Sequence, residues 1–356
     1  MKRYERIYEK LRDAIVSGGY AFGARLPSKR SVATETGTSL VTVEHAYRLL
    51  CDDGYAEARE RSGFFVTYRS SGTVPKARHA EPVVMRVKSD HHRFPSEFPF
   101  TVFTRALRGV ITRYGERLLI KSPNMGTVEL RTAIVAYLNR SKGLRVKASQ
   151  VVIGSGAEYL YGLLAQMFRG RTVGIEDPSY AKIGEVYAAH GIRTKPLKLG
   201  PHGILDTELK RLKGGILHVT PYRSYPTGVT ADASKRQAYV DWARVRDGFL
   251  IEDDFDSEFS PSRSGAETLF ALDGGLHVVY LNTFSKSIAP ALRIGYMVLP
   301  KRLVGRYAEV VGFYSCTVPV FDQLFLADFI NSGDFERHLN RMRRSLRGWT
   351  ACATNG

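Results

Sequence analysis

The first part of the chain carries apolar side chains at the spacing of amphipathic helices. Ile7, Leu11 and Ile15 recur every four positions before a pair of glycines, which predicts one helix that ends there. Ser28 is a suitable N-cap for the following segment, KRSVATET, and Gly37 ends that segment. Two helices are therefore expected in this stretch.

A third helix is predicted in SLVTVEHAYRLLCDDG, with Thr38 or Ser39 as its N-cap. Its apolar face is expected to consist of Val43, Ala46, Leu49 and Leu50. After Gly54, the segment YAEARERSGFFV predicts a two-stranded hairpin with Ser62 and Gly63 at its tip. Three helices followed by a hairpin are the order of a winged helix-turn-helix.

The pattern changes twice further along the chain. Residues 67 to about 90 lose periodicity and mix Ser, Gly, Pro and basic residues, as a linker does. From about residue 98, apolar runs typical of buried strands alternate with helical patterns. The runs are VVIG, TVGIED, RTKPLKL, GILHVT, FLIEDD, HVVYLN and IGYMVL. This alternation predicts a mostly parallel sheet covered by helices.

Composition narrows the class of protein. The chain has 356 residues, of which 44% are hydrophobic and 24% charged, enough for two or more domains. Its formal net charge of +17 favours a polyanionic partner. The three cysteines are far apart and predict neither a disulfide framework nor a zinc cluster. No signal-peptide or membrane-spanning pattern is present, so we expect a cytoplasmic protein without a membrane partner.

Chemically useful side chains follow the predicted strands, where ligands of parallel sheets bind. Gly-Ser-Gly-Ala at 154–157 opens a helix and is suited to a phosphate, Tyr180 follows the next strand, and four carboxylates lie in IEDDFD at 251–256. Lys286 follows HVVYLN, and Arg293 precedes the last strand. Pyridoxal phosphate needs such a set: an amine, a carboxylate for its ring nitrogen, an aromatic ring and a phosphate site. The other interpretation of Lys286 is an exposed lysine at a strand end.

The segments RLPSKRSVA, TVEHAYRLLCDDGY and ARERSGFFV together resemble the GntR-type DNA-binding domain. The resemblance implies that the third helix enters the major groove of double-stranded operator DNA and that the wing approaches the minor groove. The DNA contacts that it implies are Lys29, Arg30, Ser39, Val41, Thr42, Arg59, Arg61, Ser62 and Gly63. The alternative for Arg30, Arg59 and Arg61 is that they are solvated surface charges.

With YPTGVTADASKRQ, IEDDFDSEF and FSKSIAPALRIGYMVLP, the chain resembles the MocR family of transcriptional regulators, whose second domain is similar to fold-type I aminotransferases. The resemblance implies that Lys286 is the Schiff-base lysine, that Asp253 pairs with the pyridine nitrogen and that Tyr180 stacks on the ring. The phosphate ligands that it implies are Ser155, Gly156, Ala157, Thr283 and Arg293. It also implies a homodimer and an amino-acid-type effector.

The remaining charged residues near these motifs are expected to be peripheral. Only one carboxylate should face the cofactor ring, so Asp254, Asp256 and Glu258 are expected to be solvated or paired with arginines of the linker. The residues His91, His92 and His218 lack metal-ligand spacing and are expected to be structural or on the surface. No metal site is predicted.

Three departures from the family pattern bear on function. Phe255 replaces a tyrosine found in many relatives, and Tyr225 replaces an asparagine usual in aminotransferases. Losing both hydrogen-bond donors favours a sensor over an enzyme. The last residues, LRGWTACATNG, lack strand or helix periodicity, and the small carboxy-terminal domain of relatives, with its carboxylate-binding arginine, is missing. A truncated or frameshifted end is therefore expected.

The sequence thus predicts a GntR-type head at residues 1–68, a linker at 69–92 and a truncated aminotransferase-like α/β domain at 93–356. The predicted function is a DNA-binding regulator that senses pyridoxal phosphate or an amino-acid-type effector, and catalysis is not expected. One alternative is an aminotransferase with a basic extension. Another is a degraded regulator that binds DNA without a cofactor.

Overall fold

The computed structural model describes residues 3–60, 62–68, 99–259 and 267–353, with side chains up to residue 345. The predicted linker, Arg61, His91 and His92 lie outside the described residues. The chain divides into two compact units, Met1–Asp90 and His91–Gly356, which are described separately.

The first unit contains three helices and a hairpin. The helices are α1 (Arg3–Val16), α2 (Lys29–Thr36) and α3 (Leu40–Asp52), and the hairpin pairs β1 (Ala56–Arg59) with β2 (Gly63–Val66) in antiparallel register. The predicted order of elements is confirmed. Ser28 caps α2 by accepting a hydrogen bond from the Ser31 amide at 3.1 Å, and Gly37 ends it with φ 60°. Ser39, not Thr38, caps α3.

The core of this first unit differs from the prediction at one position of α3. Val43, Ala46 and Leu50 are buried as expected, but Tyr47 is buried where Leu49 was expected, and Leu49 is half-buried. Tyr47 lies on the same helical face as Val43 and Leu50. Its hydroxyl donates a 2.7 Å hydrogen bond to the carbonyl of Pro27, which satisfies its polar end inside the core.

The second unit is a layered α/β domain. Its helices are α4 (Phe100–Tyr114), α5 (Val128–Lys142), α6 (Ala157–Met167), α7 (Ala181–Ala189), α8 (Asp206–Arg211), α9 (Ala233–Val245), α10 (Leu269–Asp273), α11 (Lys301–Val310), α12 (Val320–Asn331) and α13 (Asp334–Ala353). Its strands are β3 (Val151–Gly154), β4 (Val173–Asp177), β5 (Thr194–Gly200), β6 (Gly203–Ile204), β7 (Ile216–Val219), β8 (Phe249–Asp253), β9 (Val278–Thr283) and β10 (Gly295–Val298).

These strands form one eight-stranded sheet in the order β3-β10-β9-β8-β7-β4-β5-β6. The pairs from β9 through β5 are parallel, whereas β10 runs antiparallel to both its neighbours and β6 pairs antiparallel with β5. The mostly parallel sheet is confirmed; β6 was not predicted because two residues carry no periodicity. Both faces are covered, since Ile153 packs into one apolar core and Val152 into another.

The end of the chain is more regular than its pattern suggested. Residues 346–356 were expected to lack helical structure, yet α13 continues to Ala353. This segment has no proline, and its one internal glycine, Gly348, costs a helix only about 1 kcal/mol. A helix can therefore extend without an amphipathic repeat. Within the described parts of the chain, no helix is long and apolar enough to cross a bilayer.

Candidate functional site

The register of the sheet brings the predicted strand-end residues to one edge. Gly295, the first residue of β10, pairs with Gly154 at the end of β3 and with Thr283 at the end of β9. These three positions therefore lie level across neighbouring strands, with Asp253 at the carboxyl end of β8 beside them. This is the edge where ligands of parallel sheets bind.

An anion-binding turn lies between β3 and α6. Gly156 has φ 98°, a conformation that suits glycine, and an added Cβ there would lie only 2.9 Å from Nη2 of Arg293. Arg293 itself has φ 48°, a strained backbone of the kind that clusters at functional sites. Ser155 is hydrogen-bonded to Thr317 through their hydroxyls at 3.0 Å. The structure thus brings Ser155, Gly156 and Arg293 to the amino end of α6, where Ala157 is the first helical residue.

Glu158 connects two predicted ligand residues and was missed in the sequence. Arg293 donates a hydrogen bond to one Glu158 oxygen at 2.7 Å, and the Tyr180 hydroxyl donates to the other at 3.5 Å. Tyr180 is 41% exposed, and its ring meets Tyr225 edge-on at 6.2 Å between centroids. Arg293, which a bound phosphate would need, is therefore already paired with Glu158. An incoming anion must compete with Glu158 for this arginine.

Asp253 is buried at the end of β8 with one oxygen held and the other free. The Tyr161 hydroxyl donates to Oδ2, and Nε2 of His218 lies 3.6 Å from the same oxygen. Burial raises the pKa of the Tyr161 phenol well above its ordinary value, so this group stays protonated and donates. Within the described residues, the buried Oδ1 has no hydrogen-bond partner. A buried carboxylate oxygen without a partner is suited to a ligand that carries a donor.

His218 lies beside Asp253 and is buried, so of the two expected roles, structural or on the surface, only the structural one agrees with its position. It lies in β7, is 1% exposed, and is hydrogen-bonded through Nδ1 to the Tyr187 hydroxyl at 3.0 Å. The only signal in the sequence is a polar side chain within the apolar run GILHV. Tyr161 gave no such signal, because a tyrosine on an apolar helix usually packs in the hydrophobic core.

Lys286 is partly exposed and forms an ion pair. Its Nζ contacts Oδ1 of Asp256, and its side chain is 39% exposed. The second Asp256 oxygen lies 3.2 Å from Nη1 of Arg223. The rings of Phe255 and Phe259 lie 5.2 and 5.9 Å from the Lys286 nitrogen. Phe255 is thus close to the amine but offers it no hydrogen-bond donor.

The expectation that the other carboxylates are solvated was wrong, and the linker arginines that were the alternative partners lie outside the described residues. Asp254, Asp256 and Glu258 are all buried, not solvated. Asp254 accepts hydrogen bonds from Lys142 at 3.1 Å and from the Tyr280 hydroxyl at 2.7 Å.

Glu258 accepts a bond from the Asn282 side chain at 2.8 Å, and burial raises its pKa. These carboxylates are paired inside the domain because the chain after β8 runs into its core. A charge buried there needs a partner within reach.

In the first unit, two of the predicted DNA-contacting cations are already paired. Lys29 lies 3.2 Å from Glu44, and Nε of Arg59 lies 2.7 Å from Glu57. Arg30 is exposed and, within the described residues, has no ion-pair partner. Among the predicted cations that the structure describes, Arg30 is therefore the most available to a phosphate.

The remaining predicted DNA contacts lie at the start of α3 and on the wing. The Ser39 hydroxyl is hydrogen-bonded to that of Thr42 at 2.8 Å, and Val41 is 76% exposed. Gly63 has φ 108° and packs against the Arg25 side chain, and Ser62 lies beside it at the tip. These residues lie at the start of α3 and at the tip of the wing, and their roles in DNA binding stay predictions.

Comparison with known proteins identifies both units. Residues 3–66 match the bacterial regulatory proteins of the gntR family, and residues 96–350 match aminotransferase class I and II. Among solved structures, the chain resembles a Pyrococcus horikoshii kynurenine aminotransferase with a TM-score of 0.63 and 25% identity, covering 69% of this chain and 64% of that chain. The chain thus spans less than two thirds of that aminotransferase.

Curated relatives match almost the whole chain. It is 33% identical to the uncharacterized HTH-type transcriptional regulator YdeL of Bacillus subtilis, over 97% of this chain and 76% of that protein. It is 30% identical to the HTH-type pyridoxine biosynthesis transcriptional regulator PdxR of Corynebacterium glutamicum (96% and 76%), and 29% to the probable rhizopine catabolism regulatory protein MocR of Rhizobium meliloti (96% and 74%). The predicted family is confirmed: the chain belongs to the MocR type of transcriptional regulators, which join a GntR-type DNA-binding domain to a domain with the aminotransferase class I and II fold.

Proposed function

We propose that this regulator binds pyridoxal phosphate through Lys286 and that the bound cofactor, alone or with an amino-acid-type effector, changes how tightly the head binds operator DNA. The observation that carries the proposal is the buried, unpartnered Oδ1 of Asp253 at the same sheet edge as Gly156 and Thr283. Such an oxygen needs a donor, and a protonated pyridine nitrogen is one.

The donor set at this edge fits the cofactor. Ser155, Gly156 and Arg293 converge at the amino end of α6, where backbone amides and the helix dipole favour a phosphate. Thr283 adds a hydroxyl at the same level, and Tyr180 leaves part of its ring exposed for stacking. When bound, pyridoxal phosphate supplies an aldehyde that reacts with amines and a ring that withdraws electrons.

Two side chains lie beside Asp253, the proposed partner of the ring nitrogen. The Tyr161 hydroxyl donates a hydrogen bond to Oδ2 of Asp253, and Nε2 of His218 lies 3.6 Å from the same oxygen. Oδ1 would accept a hydrogen bond from the protonated ring nitrogen. Within the described residues, it would lose no other hydrogen bond in doing so. Lys286 supplies the amine that bonds to the aldehyde.

Sensing is favoured over transamination. Phe255 lies 5.2 Å from the Lys286 nitrogen and cannot donate to the cofactor's phenolic oxygen, and Tyr225, 59% exposed, is turned toward Tyr180. With these two positions altered, the protein controls proton transfer to and from the amine less well than catalysis needs. Binding needs only the carboxylate, the phosphate site and the lysine.

A homodimer is the second part of the proposal. Leu119, Ile120 and Val128 are 87%, 64% and 54% exposed, and Ile120 and Val128 line one open depression between the end of α4 and the start of α5. Apolar side chains grouped on a surface mark association sites, and a second copy of this chain would cover them. We place the protein in the cytoplasm, where its operator would be found.

The test is the affinity for the duplex upstream of the protein's own gene, measured by fluorescence anisotropy with and without pyridoxal phosphate. We expect a change of about fivefold or more, the scale of allosteric coupling. A Lys286→Ala variant should bind the duplex and ignore the cofactor. No change in the natural protein, or an equal change in the variant, would reject cofactor sensing through this lysine.

Arg30→Ala should flatten the salt dependence of DNA binding. Each phosphate neutralised contributes a slope of about 0.9 on a plot of log affinity against log salt, and Arg30 has no competing carboxylate in the described residues. The slope should therefore fall by about one unit. The matched control is Lys10→Ala, an exposed lysine on α1 paired with Glu35. An unchanged slope for Arg30→Ala would show that this arginine is a solvated surface charge.

A further inference from the structure

Asp256 is a buried carboxylate shared by two cations from different loops. Its side chain is 3% exposed; Oδ1 contacts the Lys286 nitrogen and Oδ2 lies 3.2 Å from Nη1 of Arg223. Arg223 follows β7 and has φ 56°, a strained backbone conformation of the kind that clusters at functional sites. The carboxylate is thus buried, whereas the two cations that share it are partly exposed, Arg223 at 53% and Lys286 at 39%.

The Lys286 nitrogen lies beside a carboxylate and two aromatic rings. Besides Asp256, the nitrogen lies within 6 Å of the faces of Phe255 and Phe259, at 5.2 and 5.9 Å from their centroids. An ammonium ion is not a nucleophile, so the amine must leave Asp256 and give a proton to solvent before it can attack a carbonyl carbon. The contact with Asp256 therefore opposes the bond that the proposed function requires.

Arg223 makes that release easier. If Lys286 were the only partner of Asp256, its departure would leave a buried carboxylate without a counter-ion, which is strongly unfavourable. With Arg223 on the second oxygen, the carboxylate keeps one cation when the amine leaves.

We propose that Asp256 is a positioning residue that keeps the amine of Lys286 in reserve, and that Arg223 sets how readily the amine is released by competing for the same carboxylate. The proposal rests on the proposed function of Lys286. It adds that the reactivity of this lysine is controlled by two residues outside the predicted set of cofactor ligands. It also predicts that two charge-removing substitutions have opposite effects.

The test measures the amine itself in the full chain without cofactor. The protein is pulsed with isotopic acetic anhydride at one pH, and mass spectrometry gives the labelling rate of Lys286. Asp256→Asn should raise that rate about threefold or more, because the partner that holds the ammonium form is lost. Arg223→Gln should lower it by a similar factor, and Arg223→Lys should restore it.

Three controls separate the proposal from general loosening of the fold. Asp241→Asn removes an exposed carboxylate on α9 that accepts a hydrogen bond from Gln237, and should leave the rate unchanged. Lys301 is an exposed reference amine in every sample. Lys142, whose side chain is 6% exposed, becomes labelled only if the domain opens.

Equal rates for Asp256→Asn and Asp241→Asn would overturn the proposal, as would a shift in the same direction for Asp256→Asn and Arg223→Gln. Since no cofactor is added, the outcome does not depend on whether pyridoxal phosphate binds. If instead the proposed function is wrong, adding pyridoxal phosphate will not change the DNA affinity of the natural protein, while the labelling rates of the variants still differ.

Discussion

Lys286→Ala is expected to abolish covalent capture of pyridoxal phosphate. The amine is the group that bonds to the cofactor aldehyde, and the next buried lysine, Lys142, is held by Asp254 at 3.1 Å. In absorption spectra, the natural protein mixed with the cofactor should develop a visible band that the variant lacks. Borohydride should then fix the cofactor to the peptide that contains Lys286.

The control for this experiment is Lys301→Ala, which removes an exposed lysine at the start of α11 and should keep both the band and the adduct. An adduct on another lysine, or an unchanged band in Lys286→Ala, would contradict the assignment. If the natural protein itself shows no band, the regulator that binds DNA without cofactor becomes the better description.

Elements set by local chemistry were predictable from the sequence. Ser28 and Gly37 define α2 because a cap and a left-handed glycine act within one helical turn. The central strands β7, β8 and β9 were likewise predictable, since a buried parallel strand is a continuous apolar run. The carboxyl ends of those strands then located the candidate site before any distance was known.

Pairings between distant segments were not predictable. Asp253, Asp254 and Asp256 look equivalent in IEDDFD, yet their partners come from α6, α5 and the loop after β7. Sequence spacing carries no information about which of these segments faces which carboxylate. The role of Glu158 beside Arg293 was hidden for the same reason, as 135 positions separate them.

Leu50→Ala should remove DNA binding while leaving the large unit folded. Leu50 is fully buried in the core of the first unit, and deleting a buried leucine costs about 2 to 5 kcal/mol. A domain this small rarely has more than about 5 kcal/mol of stability, so much of the head should be unfolded. Anisotropy with the upstream duplex should show the loss, and the visible band of the bound cofactor should persist.

The unfolding of the two units can be followed separately in that variant. Its two tryptophans, Trp242 and Trp349, both lie in the second unit, so their fluorescence follows the unfolding of that unit in urea. Far-UV circular dichroism follows both units. Leu50→Ala should shift the transition that is seen by circular dichroism but not by fluorescence. The control is Val16→Ala, at a side chain that is 45% exposed. It should shift neither transition by more than about 0.5 kcal/mol. If Leu50→Ala lowers the fluorescence midpoint by the same free energy, the two units unfold as one. Loss of DNA binding could then no longer be assigned to the head alone.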